Sequence, residues 1–192
     1  MIHEIISESR SVRSFDESRP VARETLEKII DSARLSPSAK NEQPLRYILV
    51  TDREECETVV SLTKYAAALP ELHLPPEKHH PTAFIIVCTD TEVAAADGRF
   101  VMFDAGLACQ SITLRAHEES IGGVILASFV PEKLSSALSI PERYVPLVVV
   151  ALGVPNETVV LCEVKDGKTA YFRDENNTHY VPKRSLDEVI IR

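Results

Sequence analysis

Apolar residues along this chain follow more than one period. In RPVARETLEKIIDSARLS, Leu26, Ile29, Ile30 and Ala33 return to one face, and a spacing near 3.6 residues predicts an amphipathic helix. Pro20 stands just before it and Pro37 forbids its extension, because proline lacks the N–H an inner turn must donate. LRYILVTD (45–52) and TAFIIVCTD (82–90) are instead near-continuous branched runs behind Pro44 and Pro81, the pattern of strands covered on both faces. Between them a helix is expected over Glu54–Lys64, then a loop in ALPELHLPPEKHH, broken by three prolines. Residues 98–119 form the longest expected helix, with Phe100, Phe103, Leu107, Gln110 and Leu114 along one face. Residues 2–9 read as a short helix, 123–129 and 145–152 as strands around a helix after Pro131, and 186–191 as a final short helix. From Asn156 to that helix the pattern is mixed strand and loop. No repeat or linker interrupts this order, so one domain over 1–192 is expected. The alternation of helix and strand leaves both a parallel doubly wound sheet and an α+β arrangement open.

Composition narrows the classes of partner. A net charge of −8 over 192 residues argues against nucleic acid, whose phosphates select basic faces. The longest apolar runs, such as PLVVVALGV, are about half of a membrane span. His3, Glu4, Glu8 and Arg10 interrupt any apolar leader, and four scattered cysteines without a CxxC pair suit reduced thiols, so a cytoplasmic, soluble protein is expected. The six glycines form neither GxGxxG nor GxxxxGK[ST], which removes the standard dinucleotide fold and the P-loop. His73, His79 and His80 lie in the proline-broken loop without regular spacing or a carboxylate pattern, and are expected to be solvated, with no metal site.

Against that acidic background SRSVRSF (9–15) stands out. Arg10 and Arg13 are set among serines with no carboxylate between them, and guanidinium groups are suited to bidentate phosphate contacts. A second basic pair, Lys183-Arg184, follows Pro182 far along the chain. In SPSAKNEQP (36–44) a helix gives way to a polar loop leading into a strand, and Ser38, Asn41 and Gln43 offer donors and acceptors for a heterocycle edge. The chain's one Gly-Gly pair, Gly122-Gly123, permits either close backbone approach to a ligand or a plain helix C-cap.

Taken in order, SRSVRSF, ARLSPSAKNEQPLRYILV, FDAGLACQSITLRAHEESIGGVILASF, VALGVP and HYVPKRSL resemble the nitroreductase family of FMN-dependent oxidoreductases. The resemblance implies an α+β fold, a central mixed but largely antiparallel sheet flanked by helices, and an intertwined homodimer with FMN at its interface. It implies that Arg10 and Ser11 hold the FMN phosphate with Lys183 and Arg184, and that Arg13 reaches the flavin pyrimidine edge. Pro37, Ser38, Ala39, Asn41 and Gln43 would come from the other subunit, and Ile121, Gly122 and Gly123 would lie against the flavin. NAD(P)H would be a transient co-substrate passing hydride to flavin N5, and a nitroaromatic, quinone or similar small acceptor would follow it by a ping-pong mechanism. A non-catalytic FMN-binding protein and a flavin-fragmenting or dehalogenating relative are the alternatives. Leu45 stands where many members have tryptophan, and Ser120 where many have glycine.

Overall fold

A computed structural model of the chain describes residues 2–66, 72–94, 98–176 and 178–192. Its helices are α1 (Ile2–Glu8), α2 (Arg23–Ala33), α3 (Arg53–Leu62), α4 (Arg99–Glu118), α5 (Pro131–Ala137) and α6 (Leu186–Val189). Its strands are β1 (Leu45–Val50), β2 (Ala83–Asp90), β3 (Gly122–Leu126), β4 (Tyr144–Gly153), β5 (Thr158–Glu163), β6 (Phe172–Arg173) and β7 (Thr178–Lys183). Most boundaries lie within two residues of the expected ones. β3 is the exception, ending at Leu126 because Phe129 leaves the sheet to pair with Thr63.

Strands β1, β2, β4 and β3 stand in that order, and every neighbouring pair is antiparallel. Successive residues of β2 point to opposite sides. Ile85 and Val87 meet Leu26, Ile29, Ala105 and Ile112 of α2 and α4, while Phe84, Ile86 and Cys88 meet Cys56, Val59 and Leu134 of α3 and α5. The sheet is therefore sandwiched between two helical layers, which explains the unbroken apolar runs. Such runs usually mark parallel sheets, so their pattern alone left the architecture open. The fold is α+β. Parallel pairing occurs in a second, smaller sheet of order β5-β7-β6, where β5 runs parallel to β7 and β6 antiparallel to it.

The apolar face read along α4 is corrected by the structure. Its buried residues are Val101, Asp104, Ala105, Ala108, Cys109, Ile112 and Ala116, whereas Phe100, Phe103 and Leu107 are exposed, Phe103 by 61%. Small residues let the helix lie close on the sheet, and the large ones face outward. The helix ends in a Schellman motif. Ser120 sits at φ 60°, its N–H reaches the His117 carbonyl, and the Ile121 N–H reaches that of Ala116, both at 2.9 Å. The C-cap is thus built on a serine, and Gly122 and Gly123 serve elsewhere. Among the described residues no helix is long and apolar enough to cross a membrane. Cys56, Cys88 and Cys109 are free and buried, and burial pushes each thiol up to about 12, leaving it inert at neutral pH.

Candidate functional site

The segment SRSVRSF runs beside β3. Ser11 pairs with Gly123 in a parallel bridge, the Val12 N–H donates to the Gly123 carbonyl at 3.0 Å, and Phe15 is fully buried. Gly122 is what allows this contact, and Gly123 allows a close approach within the sheet. A Cβ on Gly122 would lie 2.6 Å from Val12 Cγ2 and 2.8 Å from Pro155 Cγ, and one on Gly123 would lie 2.8 Å from Leu152 Cδ2. Gly122 therefore makes room for the arginine segment, which pairs with the Gly123 backbone, while Gly123 itself makes room for Leu152 of β4.

The two arginines have different surroundings. Arg10 donates from Nε to the Ser9 carbonyl at 2.7 Å and from Nη2 to the Ile6 carbonyl at 2.6 Å, closing the C-terminal end of α1. Arg13 is buried. Its backbone N–H donates to Glu157, its Nη1 lies 3.3 Å from the Ser11 carbonyl and 3.4 Å from His179 Nε2, and its guanidinium lies over the Tyr171 ring, 5.0 Å from the centroid. Among the described residues no carboxylate forms an ion pair with that guanidinium, and its Nε has no hydrogen-bond partner. Burial holds the Arg13 pKa below its ordinary value. Glu157, the neighbouring carboxylate, has a fully buried side chain and pairs with Arg173. A buried cation whose nearby acid is shared with a second arginine is costly until an anion arrives.

A cavity of about 260 Å³ opens here, lined by Arg10, Ser11, Arg13, Gly123, Tyr171, His179 and Lys183, with Gln110 and Thr113 of α4, and no described carboxylate lines it. A neighbouring hollow of about 390 Å³ shares Arg10 and Gly123 and adds Ile121 and Gly122. The structure thus brings Arg10, Ser11, Arg13, Ile121, Gly122, Gly123 and Lys183 to one place. It leaves Arg184 outside, exposed and paired with Glu188 at 3.1 Å.

The loop of Pro37, Ser38, Ala39, Asn41 and Gln43 lies elsewhere. The buried Asp104 carboxylate accepts from Ser38 Oγ at 2.6 Å and from the Ala39 N–H at 3.0 Å, and the Gln43 N–H donates to Ser38 Oγ at 3.0 Å. Lys40, Asn41 and Gln43 have φ of 51°, 57° and 50°, a conformation that non-glycine residues adopt at some cost and that concentrates at ligand loops. Pro37, Ser38 and Gln43 line a separate cavity of about 170 Å³ with Arg46, Tyr47 and Asp104, sharing no residue with the arginine cavity. Helix α4 spans the two, with Asp104 and Ala108 at one and Gln110 and Thr113 at the other.

Residues 6–154 match the family model described as the Nitroreductase family. The chain belongs to the nitroreductase family. It is 34% identical over 158 residues to a Methanothermobacter thermautotrophicus protein provisionally named NADH dehydrogenase/NAD(P)H nitroreductase, covering 80% of this chain and 77% of that one. It is 27% identical over 169 residues to the FMN reductase [NAD(P)H] of Bacillus subtilis, covering 78% of this chain and 64% of that one. A provisionally named nitroreductase from Desulfovibrio desulfuricans, solved in complex with FMN, superposes with a TM-score of 0.70 at 21% identity, over 100% of this chain and 95% of that one.

Four residues of the candidate site escaped the sequence reading. Asp104 had a visible signal, a carboxylate among the small apolar residues of α4. Tyr171 and Glu157 had none, because they stand beside short strands without strong periodicity, and His179 lay within HYVPKRSL without being singled out. His80 is also corrected. Far from merely solvated, it places Nδ1 2.9 Å from Glu57 and donates its backbone N–H to Glu17, so that Glu17, Glu57 and His80 present ligand atoms within 4.8 Å of one another. Those carboxylates are 63 and 23 residues away in sequence, where local pattern could not show them.

Proposed function

We propose that this member of the nitroreductase family is an NAD(P)H-dependent FMN oxidoreductase of the cytoplasm, working as a homodimer on a nitroaromatic, quinone or similar small acceptor. The observation that carries the reading is the buried Arg13 guanidinium with its orphaned Nε, in a cavity lined by Arg10 and Lys183 and by no described carboxylate. A phosphate-bearing ligand with an electron-accepting ring answers both features. The names of the Bacillus relative and the FMN complex of the Desulfovibrio neighbour support that choice of ligand.

Ser11, Lys183 and Arg10 would hold the phosphate, Arg10 turning away from the α1 carbonyls to do so, and Arg184 would join by releasing Glu188. Arg13 would face the ring, where its charge favours electron density arriving on the flavin. Bound FMN would supply the hydride-exchanging centre, used in turn by the nicotinamide and the acceptor. Ile121, Gly122 and Gly123 would form a rigid backbone wall beside it. Pro37, Ser38, Ala39, Asn41 and Gln43 would be supplied by a second copy, since within one chain they line another cavity. The exposed Phe100, Phe103 and Leu107 of α4 form an apolar stripe of the kind protein interfaces cover.

The test is the visible spectrum of the purified protein before and after anaerobic NADH or NADPH. A yellow protein that bleaches on reduction and recovers on adding a quinone supports the reading. A yellow protein that never bleaches indicates FMN binding without turnover, and a colourless one that refuses added FMN removes the flavin altogether.

A further inference from the structure

The second sheet brings three groups toward Arg13, two from the residues that lead into its strands and one from a strand itself. Glu157, just before β5, takes the Arg13 backbone N–H and the Arg173 guanidinium. Tyr171, just before β6, lies under the Arg13 guanidinium, and His179 of β7 sits 3.4 Å from its Nη1. The Tyr171 and His179 rings are 5.2 Å apart and tilted by 37°, and Arg173 is paired directly across from His179 in the β6–β7 ladder. All four residues lie beyond residues 6–154, the part matched by the family model.

The chemistry of these contacts is selective. The acid of the cluster is already engaged by Arg173. What touches the Arg13 guanidinium is an aromatic face, an imidazole and a backbone carbonyl, all neutral. A carboxylate in their place would hold the arginine equally well but would cancel its charge. A π face holds a guanidinium while leaving the positive charge available. His179 Nδ1 is buried without a partner, and His179 lines the same cavity. Burial first, and the charges of Arg13 and Arg173 after it, press its pKa down to about 4, so at neutral pH the imidazole adds no competing charge.

We propose that the C-terminal sheet is a neutral clamp in which Tyr171 and His179 are positioning residues, fixing the Arg13 guanidinium in the cavity before the cofactor binds while leaving its charge for the flavin. The proposal rests on the flavin reading for the identity of the ligand, but the clamp itself is a property of the flavin-free chain.

Two measurements separate these. In flavin-free protein at neutral pH, the Arg13 Nε–H resonance, assigned by its loss in Arg13→Lys, should be displaced from the bulk arginine envelope by the Tyr171 ring. It should return to the envelope in Tyr171→Leu and stay displaced in Tyr171→Phe, which keeps the ring. FMN titration should then show affinity about 3- to 30-fold weaker for Tyr171→Leu, and within about 2-fold of wild type for Tyr171→Phe. His179→Gln, which retains an acceptor, should follow the phenylalanine variant. If Tyr171→Leu keeps the displaced resonance, or Tyr171→Phe loses it equally, the clamp is overturned whatever FMN does. If Tyr171→Phe loses as much FMN affinity as Tyr171→Leu, ring stacking is not the holding contact and the proposal falls. If the resonances behave as expected but wild type binds no FMN, the clamp stands and the flavin reading fails.

Discussion

Acidification should weaken this fold through His179. The imidazole is fully buried, and burial, then the neighbouring Arg13 and Arg173, lower its pKa from 6.5 to about 4. The unfolded chain therefore takes up a proton near 6.5 that the folded chain accepts only near 4, so stability rises with pH across that window. The gap corresponds to about 3 kcal/mol once pH has fallen below 4. At pH 5 most unfolded chains already carry the proton and few folded ones do, which makes the loss about 2 kcal/mol there. For a chain of this size that is a drop in Tm of about 4–8 °C. The assay is urea unfolding of flavin-free wild type and His179→Gln at fixed protein concentration, at several values between pH 4 and pH 7.5. Other acids titrate in the same range, so the difference between the two proteins is what tests the argument. The curves should converge toward low pH relative to their separation at neutral pH. Parallel curves would show that His179 does not resist protonation, and the account of its surroundings would be wrong.

Further outcomes follow from the same geometry. Asp104→Ala frees Ser38 Oγ and the Ala39 N–H together and should cost about 1.5–3 kcal/mol, with weaker FMN retention, measured by denaturation and by flavin titration. Gly122→Ala drives a methyl into Val12 and Pro155 and should cost about 1–3 kcal/mol, partly recovered by adding Val12→Ala, which a double-mutant cycle would show. Ser120→Gly should stabilise by about 0.5–1 kcal/mol, because φ of 60° favours glycine at this helix end. A thermal midpoint unchanged or lowered would contradict the Schellman assignment. Phe103→Lys with Leu107→Lys should yield a monomer by sedimentation and lower flavin content, whereas a retained dimer would move the interface off the α4 stripe.

The parts of this fold that were legible in its sequence are those whose signal is local. Leu26, Ile29 and Ala33 are spaced by the helix that buries them, and Pro44 and Pro81 bracket strands whose residues are apolar because both sheet faces are covered. The arginine segment was visible as a charge anomaly, and Lys183 with it. What was not legible depends on distant pairing. Arg13 gains its character from Tyr171, His179 and Glu157, residues 158, 166 and 144 positions away that carry no pattern of their own. Arg184 was grouped with Lys183 by adjacency, but the turn into α6 delivers it to Glu188 instead.

Helix α4 shows why a strong local pattern can still point to the wrong neighbour. Phe100, Phe103 and Leu107 form a clear apolar row, and periodicity alone would place that row on the core. The row that packs on the sheet is Ala105, Ala108, Cys109 and Ile112, because close approach to covered strands favours small side chains over bulky ones. A helix apolar on two sides has two surfaces to bury, and one chain covers only the first. The same helix holds the SPSAKN loop through Asp104 at one end and borders the arginine cavity through Gln110 and Thr113 further along. If a second copy packs on the outward row, its loop is brought toward this chain's arginines without lengthening any segment. The two cavities that one chain keeps apart would then be joined across that outward row.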